Sequence, residues 1–225
     1  RNHQCDILLD QTFGRKKEDY SAYIPKDCEL LLGSPYALLR PEFAKWRAYS
    51  LKRRNKQEFK QLFISMGGID IDNITGQILD ELKICNLPED LNIVVIMGRN
   101  APHLESIKSK VTELPYQIAV KIDVGNMAEI MANSDIAIGA TGSTTWERCC
   151  LGLPTIHIIV AENQNIIAKS LVQINAIKIL QDRKELSSII DDATVWMKAL
   201  SDITRQISDG LGLMRVMNTI VDKKL

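Results

Sequence analysis

Net charge is the first thing the chain lacks: its 28 Lys and Arg residues are balanced by 28 Asp and Glu. No global field draws it to nucleic acid or to an anionic membrane, so any affinity for phosphate has to be local. Long apolar runs are also missing. No stretch approaches the ~20 residues that span a bilayer, and the polar opening RNHQCD has no signal-peptide pattern. The five cysteines (Cys5, Cys28, Cys85, Cys149, Cys150) form no CxxC pair. The adjacent Cys149 and Cys150 fall on an expected helix, where a disulfide between them would be strained. Together these features read as a cytoplasmic protein with neither a membrane nor a nucleic-acid partner. The histidines (His3, His103, His157) are scattered without ligand spacing, so no metal is expected; His157, in an apolar run, reads as a satisfied core residue. Internal repeats and low-complexity segments are absent as well.

What is present is an ordinary globular composition, 45% hydrophobic and 25% charged over 225 residues, enough to bury a core without crosslinks. From Gln61 onward, short β-branched runs alternate with amphipathic stretches: QLFISM, NIVVIMG, QIAVKI, DIAIGA, TIHIIV and AIKIL as strands, with helical segments between them. That order demands a parallel sheet with helices on both faces, an α/β Rossmann-like, doubly wound domain of about six strands. After AIKIL the pattern from Lys184 to Ser208 is wholly helical, and a last helix follows the break at Asp209-Gly210. Residues 1–60 differ, with strand-like CDILLD and CELLLG followed by PYALLRPEFAKWRAYSLKRRNK. They read as a separate piece with a linker, and 61–225 as the main domain. The cluster Lys45, Arg47, Lys52, Arg53, Arg54 and Lys56 reads as a solvated helix face, because aromatic interleaving is sparse.

In open α/β sheets ligands bind beyond the carboxyl ends of the strands, which directs attention to four loops. In SMGGIDIDN, Gly67 and Gly68 would let backbone amides approach a phosphate at the start of a helix, or they make a tight turn that Asp72 or Asn73 caps. In ATGSTTWERCC, Thr144 and Glu147 fit a capping box. Yet Thr141, Gly142, Ser143, Thr144 and Thr145 crowd more donors into the turn than a cap requires, and Glu147 could instead accept both hydroxyls of a ribose. In KIDVGNMAEIM, main-chain groups at Ile122 could read the edge of a base; in AENQNIIAK, Asn163 and its neighbours either cap a helix or hold a sugar. Neither a Walker A loop nor a GxGxxG in strand-to-helix context occurs; DGLGLMR follows a helix, where Asp209 reads as a cap for the final helix.

The combination CDILLDQTFGRKKEDY, YALLRPEF, SMGGIDIDN, ATGSTTWERCCLGLPTI, AENQN and DGLGLMR, in this order along nearly the whole chain, resembles the UDP-2,4-diacetamido-2,4,6-trideoxy-β-L-altropyranose hydrolase family of pseudaminic acid biosynthesis. The resemblance implies the C-terminal, UDP-binding half of a GT-B fold, with a remnant of the N-terminal domain and linker ahead of it. It implies that Glu147 holds the ribose, that Gly67, Gly68, Ser143, Thr144 and Thr145 hold the diphosphate, that Ile122 lies at the uracil and that Asn163 lies near the sugar. UDP is then the product, no cofactor is obligatory, and the N-terminal domain is the partner in cis. In the family a Gly-rich loop of that domain carries a His that looks like the general base. No such GxGH stretch occurs here, so the chain is expected to bind UDP and UDP-sugar but to hydrolyse poorly or not at all. The family also resembles the UDP-GlcNAc transferases of peptidoglycan assembly. A UDP-sugar-dependent GT-B glycosyltransferase half and a non-catalytic nucleotide-sugar-binding module are therefore the alternatives.

Overall fold

A computed structural model describes residues 2–223. Strands β1 (Ile7–Asp10) and β2 (Glu29–Leu32) pair in parallel as a small sheet, and helix α1 (Pro41–Arg53) follows. The main sheet is built from β3 (Gln61–Ser65), β4 (Asn92–Met97), β5 (Gln117–Ile122), β6 (Ile136–Ala140), β7 (Thr155–Ile158) and β8 (Lys178–Ile179). Helices α2 (Ile74–Leu82), α3 (Leu104–Val111), α4 (Met127–Asn133), α5 (Thr144–Cys150) and α6 (Gln164–Gln173) alternate with them. Helices α7 (Leu186–Asp191), α8 (Ala193–Thr204) and α9 (Gly212–Asp222) complete the chain.

All six strands are parallel, in the order β5-β4-β3-β6-β7-β8. The chain therefore runs outward from β3 through β4 to β5, then returns to β3's other side for β6. This is the doubly wound order, and its reversal leaves a crevice between the carboxyl ends of β3 and β6. Each central strand is buried on both faces, as a parallel sheet requires. Leu62 and Ile64 of β3 face a core shared with Ile78 and Leu79 of α2 and Leu200 of α8. Phe63 faces the opposite core, with Phe43 of α1, Met131 of α4 and Trp146 of α5. Period-2 alternation inside an almost continuous apolar run thus serves two cores at once.

Three expectations are corrected. The helical stretch from Lys184 is interrupted: a 3-10 turn at Arg183–Glu185 leads into α7, and α8 begins only after Asp192. AIKIL contributes only Lys178–Ile179 to the sheet. The basic cluster is only half a solvated face: Lys45, Lys52 and Lys56 are exposed, and the three arginines are not. Arg54 is buried and donates to Leu151 O, Ser134 O and Met131 O at 2.9, 2.7 and 3.2 Å. Arg47 donates to Arg205 O and Ser208 O at 2.7 and 3.1 Å and also to Cys150 O. Arg53 pairs with Asp135. These carbonyls lie at or just beyond the C-termini of α4, α5 and α8, where helices leave acceptors unpaired and carry partial negative charge. The arginines of α1 and the turn after it thereby fasten the segment before residue 61 onto the main sheet's helices. No helix among the described residues is long and apolar enough to cross a membrane, and all five thiols are free.

Candidate functional site: the carboxyl edge at the strand-order reversal

The loops after β3, β4, β5, β6 and β7 lie along one edge, and three contacts tie neighbouring ones together. A Cβ on Gly98, just beyond β4, would stand 2.1 Å from Gly68 O, so only glycine lets the β3 and β4 loops touch. Beyond β5, Asp123 accepts from Arg99 N at 3.0 Å and forms an ion pair with Arg99 Nε at 3.0 Å. Asp123 also donates its amide to Met97 O at 3.3 Å. By the alternation of a parallel ladder, the amide and carbonyl of the preceding Ile122 then point off the open edge of β5. On the other side, Gln164 Nε2 lies 3.9 Å from where a Cβ on Gly142 would sit, bringing the AENQN loop against the β6 turn. A depression of about 330 Å3 on this edge is lined by Gly68, Asp70 and Val160 among others. Depressions of about 590 Å3 lie along β1 near Asp10 and between Ile74 and Arg183; neither reaches the β6 turn.

Behind the β3 turn, the first amides of α2 are already satisfied by the protein itself. Asp70 accepts from Ile74 N and Thr75 N at 2.8 and 2.9 Å, and Asn73, the N-cap of α2, accepts from Gly76 N at 3.2 Å. The cap role expected of Asp72 or Asn73 falls to Asn73 and, more strongly, to Asp70. Gly67 (φ 94°) and Gly68 have open space where side chains would be. They can approach a ligand, but the positive end of α2 behind them is occupied by a carboxylate.

The β6 turn differs. Ser143, at the N-cap position, has helical dihedrals (φ −59°, ψ −29°) and no side-chain cap bond. Thr145 N donates to Gly142 O and Trp146 N to Ser143 O, both turn bonds. The amides of Gly142, Ser143 and Thr144 donate to no backbone acceptor among the described residues. Glu147 closes no capping box: its carboxylate accepts no hydrogen bond among the described residues, and the cap expected from T-x-x-E is corrected accordingly. The reason is that Ser143 is already helical, which carries Glu147 onto the side of α5 instead of back over its start. There burial raises its pKa to about 6, against the opposing charges of Arg40 and Arg148. Thr145 is fully buried, so it supports the turn from behind, while Ser143 and Thr144 remain open to the edge. Asn163 is exposed at the start of α6 and makes no side-chain cap bond.

Behind the turn lies a residue the sequence reading did not single out. Arg148 is 1% exposed. Its Nη1 donates to Thr144 Oγ1 at 3.2 Å, and its Nη2 to Ala140 O at 2.7 Å and to Thr145 Oγ1 at 3.2 Å. Gly139 is the strand position that makes room for it, since a Cβ there would stand 2.6 Å from Nη1. His157, in register with Gly139 on β7, is buried and its Nδ1 has no hydrogen-bond partner. The expected satisfied core histidine is therefore an unsatisfied one, and burial beside the Arg148 charge holds its pKa well below the usual value. Asp209 accepts from Leu211 N at 3.0 Å and pairs with Arg215, while Leu211 itself is the N-cap of α9. Asp209 thus braces the helix entry from two positions further out than the cap. The sequence signals Arg148 only as an arginine adjoining Glu147 on an expected helix.

The chain matches known proteins. Residues 61–200 match the glycosyltransferase family 28 C-terminal domain; the chain belongs to that family. It is 32% identical over 171 residues to the UDP-2,4-diacetamido-2,4,6-trideoxy-β-L-altropyranose hydrolase of Campylobacter jejuni, covering 76% of this chain and 58% of the relative. It is 24% identical to the spore coat polysaccharide biosynthesis protein SpsG of Bacillus subtilis, covering 96% of this chain and 65% of the relative. The chain therefore spans less than two thirds of either relative's length. In structure it superposes on MurG of Acinetobacter baumannii with a TM-score of 0.69 at 17% identity, over 94% of this chain and 64% of that one. The fold is the Rossmann-like C-terminal half of a GT-B protein.

Proposed function

We propose that the chain is the UDP-binding portion of a cytoplasmic nucleotide-sugar hydrolase that releases UDP from a UDP-diacetamido-trideoxyhexose during surface-polysaccharide or flagellin-glycan biosynthesis. The observation that carries this reading is the β6 turn: three unclaimed amides face the strand-order crevice, one helical turn before an unbonded carboxylate, Glu147. Amides at a helix start suit a diphosphate, and a carboxylate one turn away suits the paired hydroxyls of a ribose. The outward main-chain groups of Ile122 supply an edge for uracil. Exposed Asn163 can reach the sugar.

In this reading a water attacks the anomeric carbon, the C–O bond to the diphosphate breaks with inversion, and UDP carries away the electron pair. The β6 turn stabilises the charge that develops on the leaving oxygen. This chain supplies that leaving-group half. Its own histidines are poor candidates for activating the water: His157 is buried and His103 is in contact with Ile71 O at 2.9 Å. His3 lies by β1, lining the Asp10 depression. By the family resemblance the base belongs to an N-terminal domain. The diphosphate charge being met by amides and hydroxyls, no metal is obligatory in this mechanism.

Calorimetric and thermal-shift titration with UDP, against UMP, ADP and GDP, tests the reading. A selective rise in melting temperature with UDP, undiminished by EDTA, is expected from ligand linkage. Equal responses to all the nucleotides, or none at millimolar concentration, would refute it. The family itself favours a second reading, a glycosyltransferase half, which acceptor-dependent transfer by the protein joined to its N-terminal domain would establish. UDP binding without turnover in that assembly would instead identify a sensing or binding module.

A further inference from the structure

The β6 turn is backed by a cation that no carboxylate touches, although the neighbouring Glu147 acts on it at longer range. Arg148 makes no ion pair among the described residues, its Nε has no partner, and it is 1% exposed. An arginine buried in this state is costly unless something offsets the charge. Structural arginines in this same chain show the contrast. Arg54, equally enclosed, spends Nε, Nη1 and Nη2 on three backbone carbonyls at helix ends. Arg148 spends only one bond on a carbonyl and directs the others to the hydroxyls of Thr144 and Thr145.

The direction of those bonds has a chemical consequence. A guanidinium can only donate, so Thr144 Oγ1 must act as acceptor toward Arg148. Its own proton is then left for another acceptor, and Thr144 is the member of the pair open to the crevice. Gly139 has no side chain, and its place is filled by the guanidinium. Fully buried Thr145 holds the other side of the fork.

We propose that Arg148 is a positioning residue for diphosphate: it fixes the Thr144 hydroxyl as a donor to a phosphate oxygen and supplies, from behind the turn, the positive charge that the bound diphosphate neutralises. This rests on the nucleotide-site reading above, and deepens it by assigning the phosphate selectivity of the turn to a side chain that never touches the ligand.

The test compares UDP with uridine, which shares the base and ribose but lacks phosphate, by calorimetry on the full chain and on Arg148→Met, Thr144→Val and the double variant. Each single variant is expected to lose about tenfold in UDP affinity, the size of one hydrogen bond to a charged group, while uridine binding stays within about twofold. The double variant is expected to be little weaker than Arg148→Met alone, because the hydroxyl's orientation depends on the arginine. Unchanged UDP affinity in either single variant overturns the proposal. So do parallel losses of UDP and uridine, which mark a general packing role, and so does full additivity, which makes Thr144 independent of Arg148. Should Arg148→Met fail to fold, Arg148→Lys, which keeps the charge but not the fork, takes its place in the cycle under the same criteria. A parent chain that binds neither UDP nor uridine refutes the nucleotide-site reading itself; one that binds both equally refutes the phosphate assignment alone.

Discussion

Two turns with the same local grammar, glycine followed by small polar residues and then a helix, end up with opposite electrostatics. After β3, the first amides of α2 are taken by Asp70 and Asn73. After β6, the amides of Gly142, Ser143 and Thr144, at the entry to α5, meet no acceptor among the described residues, and a buried guanidinium stands behind them where a carboxylate stands in the other turn. Glycine and polarity therefore do not by themselves make an anion site. What separates the two is which charged side chain the turn folds back onto its own amides.

The contrast depends on the β3 turn keeping its position, and Gly98, beyond β4, against which the Gly68 carbonyl packs, is the place to break it. A methyl group there would lie 2.1 Å from Gly68 O, a backbone atom that cannot step aside without moving the whole β3 loop. Gly98→Ala is expected to destabilise the fold by about 3 kcal/mol, at the upper end for overpacking, and to weaken UDP binding further in whatever fraction folds. Urea denaturation measures the first effect; a loss below about 0.5 kcal/mol, the range of a neutral surface change, would mean that the two loops are not in contact.

Glu147 sharpens the comparison from the other side, because its carboxylate is held in place without a compensating bond. Its pKa rises from 4.5 to about 6 in the fold. The native state therefore binds the proton more tightly than the unfolded chain does, so stability is fully present below about pH 4.5 and declines as pH rises through about 6. At about 1.4 kcal/mol per pH unit, that decline amounts to about 2 kcal/mol. Glu147→Gln is expected to be more stable than the parent by up to this amount at pH 8, to match it at pH 4, and to bind UDP at least ~1 kcal/mol more weakly. Equal urea midpoints at pH 8, or a loss of stability there, would restore the capping role that the T-x-x-E pattern suggested.

The architecture was legible because the strands announce themselves: six β-branched runs separated by amphipathic segments leave few topologies, and the parallel sheet came out in the doubly wound order. The edge where the loops meet followed from that order alone. Less legible were features set by one dihedral or by distant contacts. Ser143 adopting helical angles moved Glu147 off the cap, and nothing in T-x-x-E foretells it. The burial of Arg54 depends on helix ends some eighty to a hundred residues along the chain, so a run of basic residues on and after α1 read as a solvated face when half of it is structural, and that of Arg148 depends on Gly139 in the strand before it. Asp70 lay in plain view in GGIDID, yet its reach to the α2 amides depends on its own positive φ of 47°.

Asp70 also gives the gentlest test of the difference between the turns. Asp70→Asn keeps a side chain tolerant of that left-handed backbone and one acceptor for α2, but removes the charge at the helix start. A loss of about 1 kcal/mol in stability is expected from the charge-assisted cap and helix-dipole terms together. Because the α2 amides are occupied, the proposed reading puts the diphosphate at α5, and UDP affinity should change by less than about threefold, well under 1 kcal/mol. Thr144→Val, by contrast, should cost about tenfold. If Asp70→Asn instead altered UDP affinity by about tenfold, the phosphate would have to lie at the β3 turn, competing with Asp70 for the same amides. The free amides of the β6 turn would then be an open helix start and nothing more.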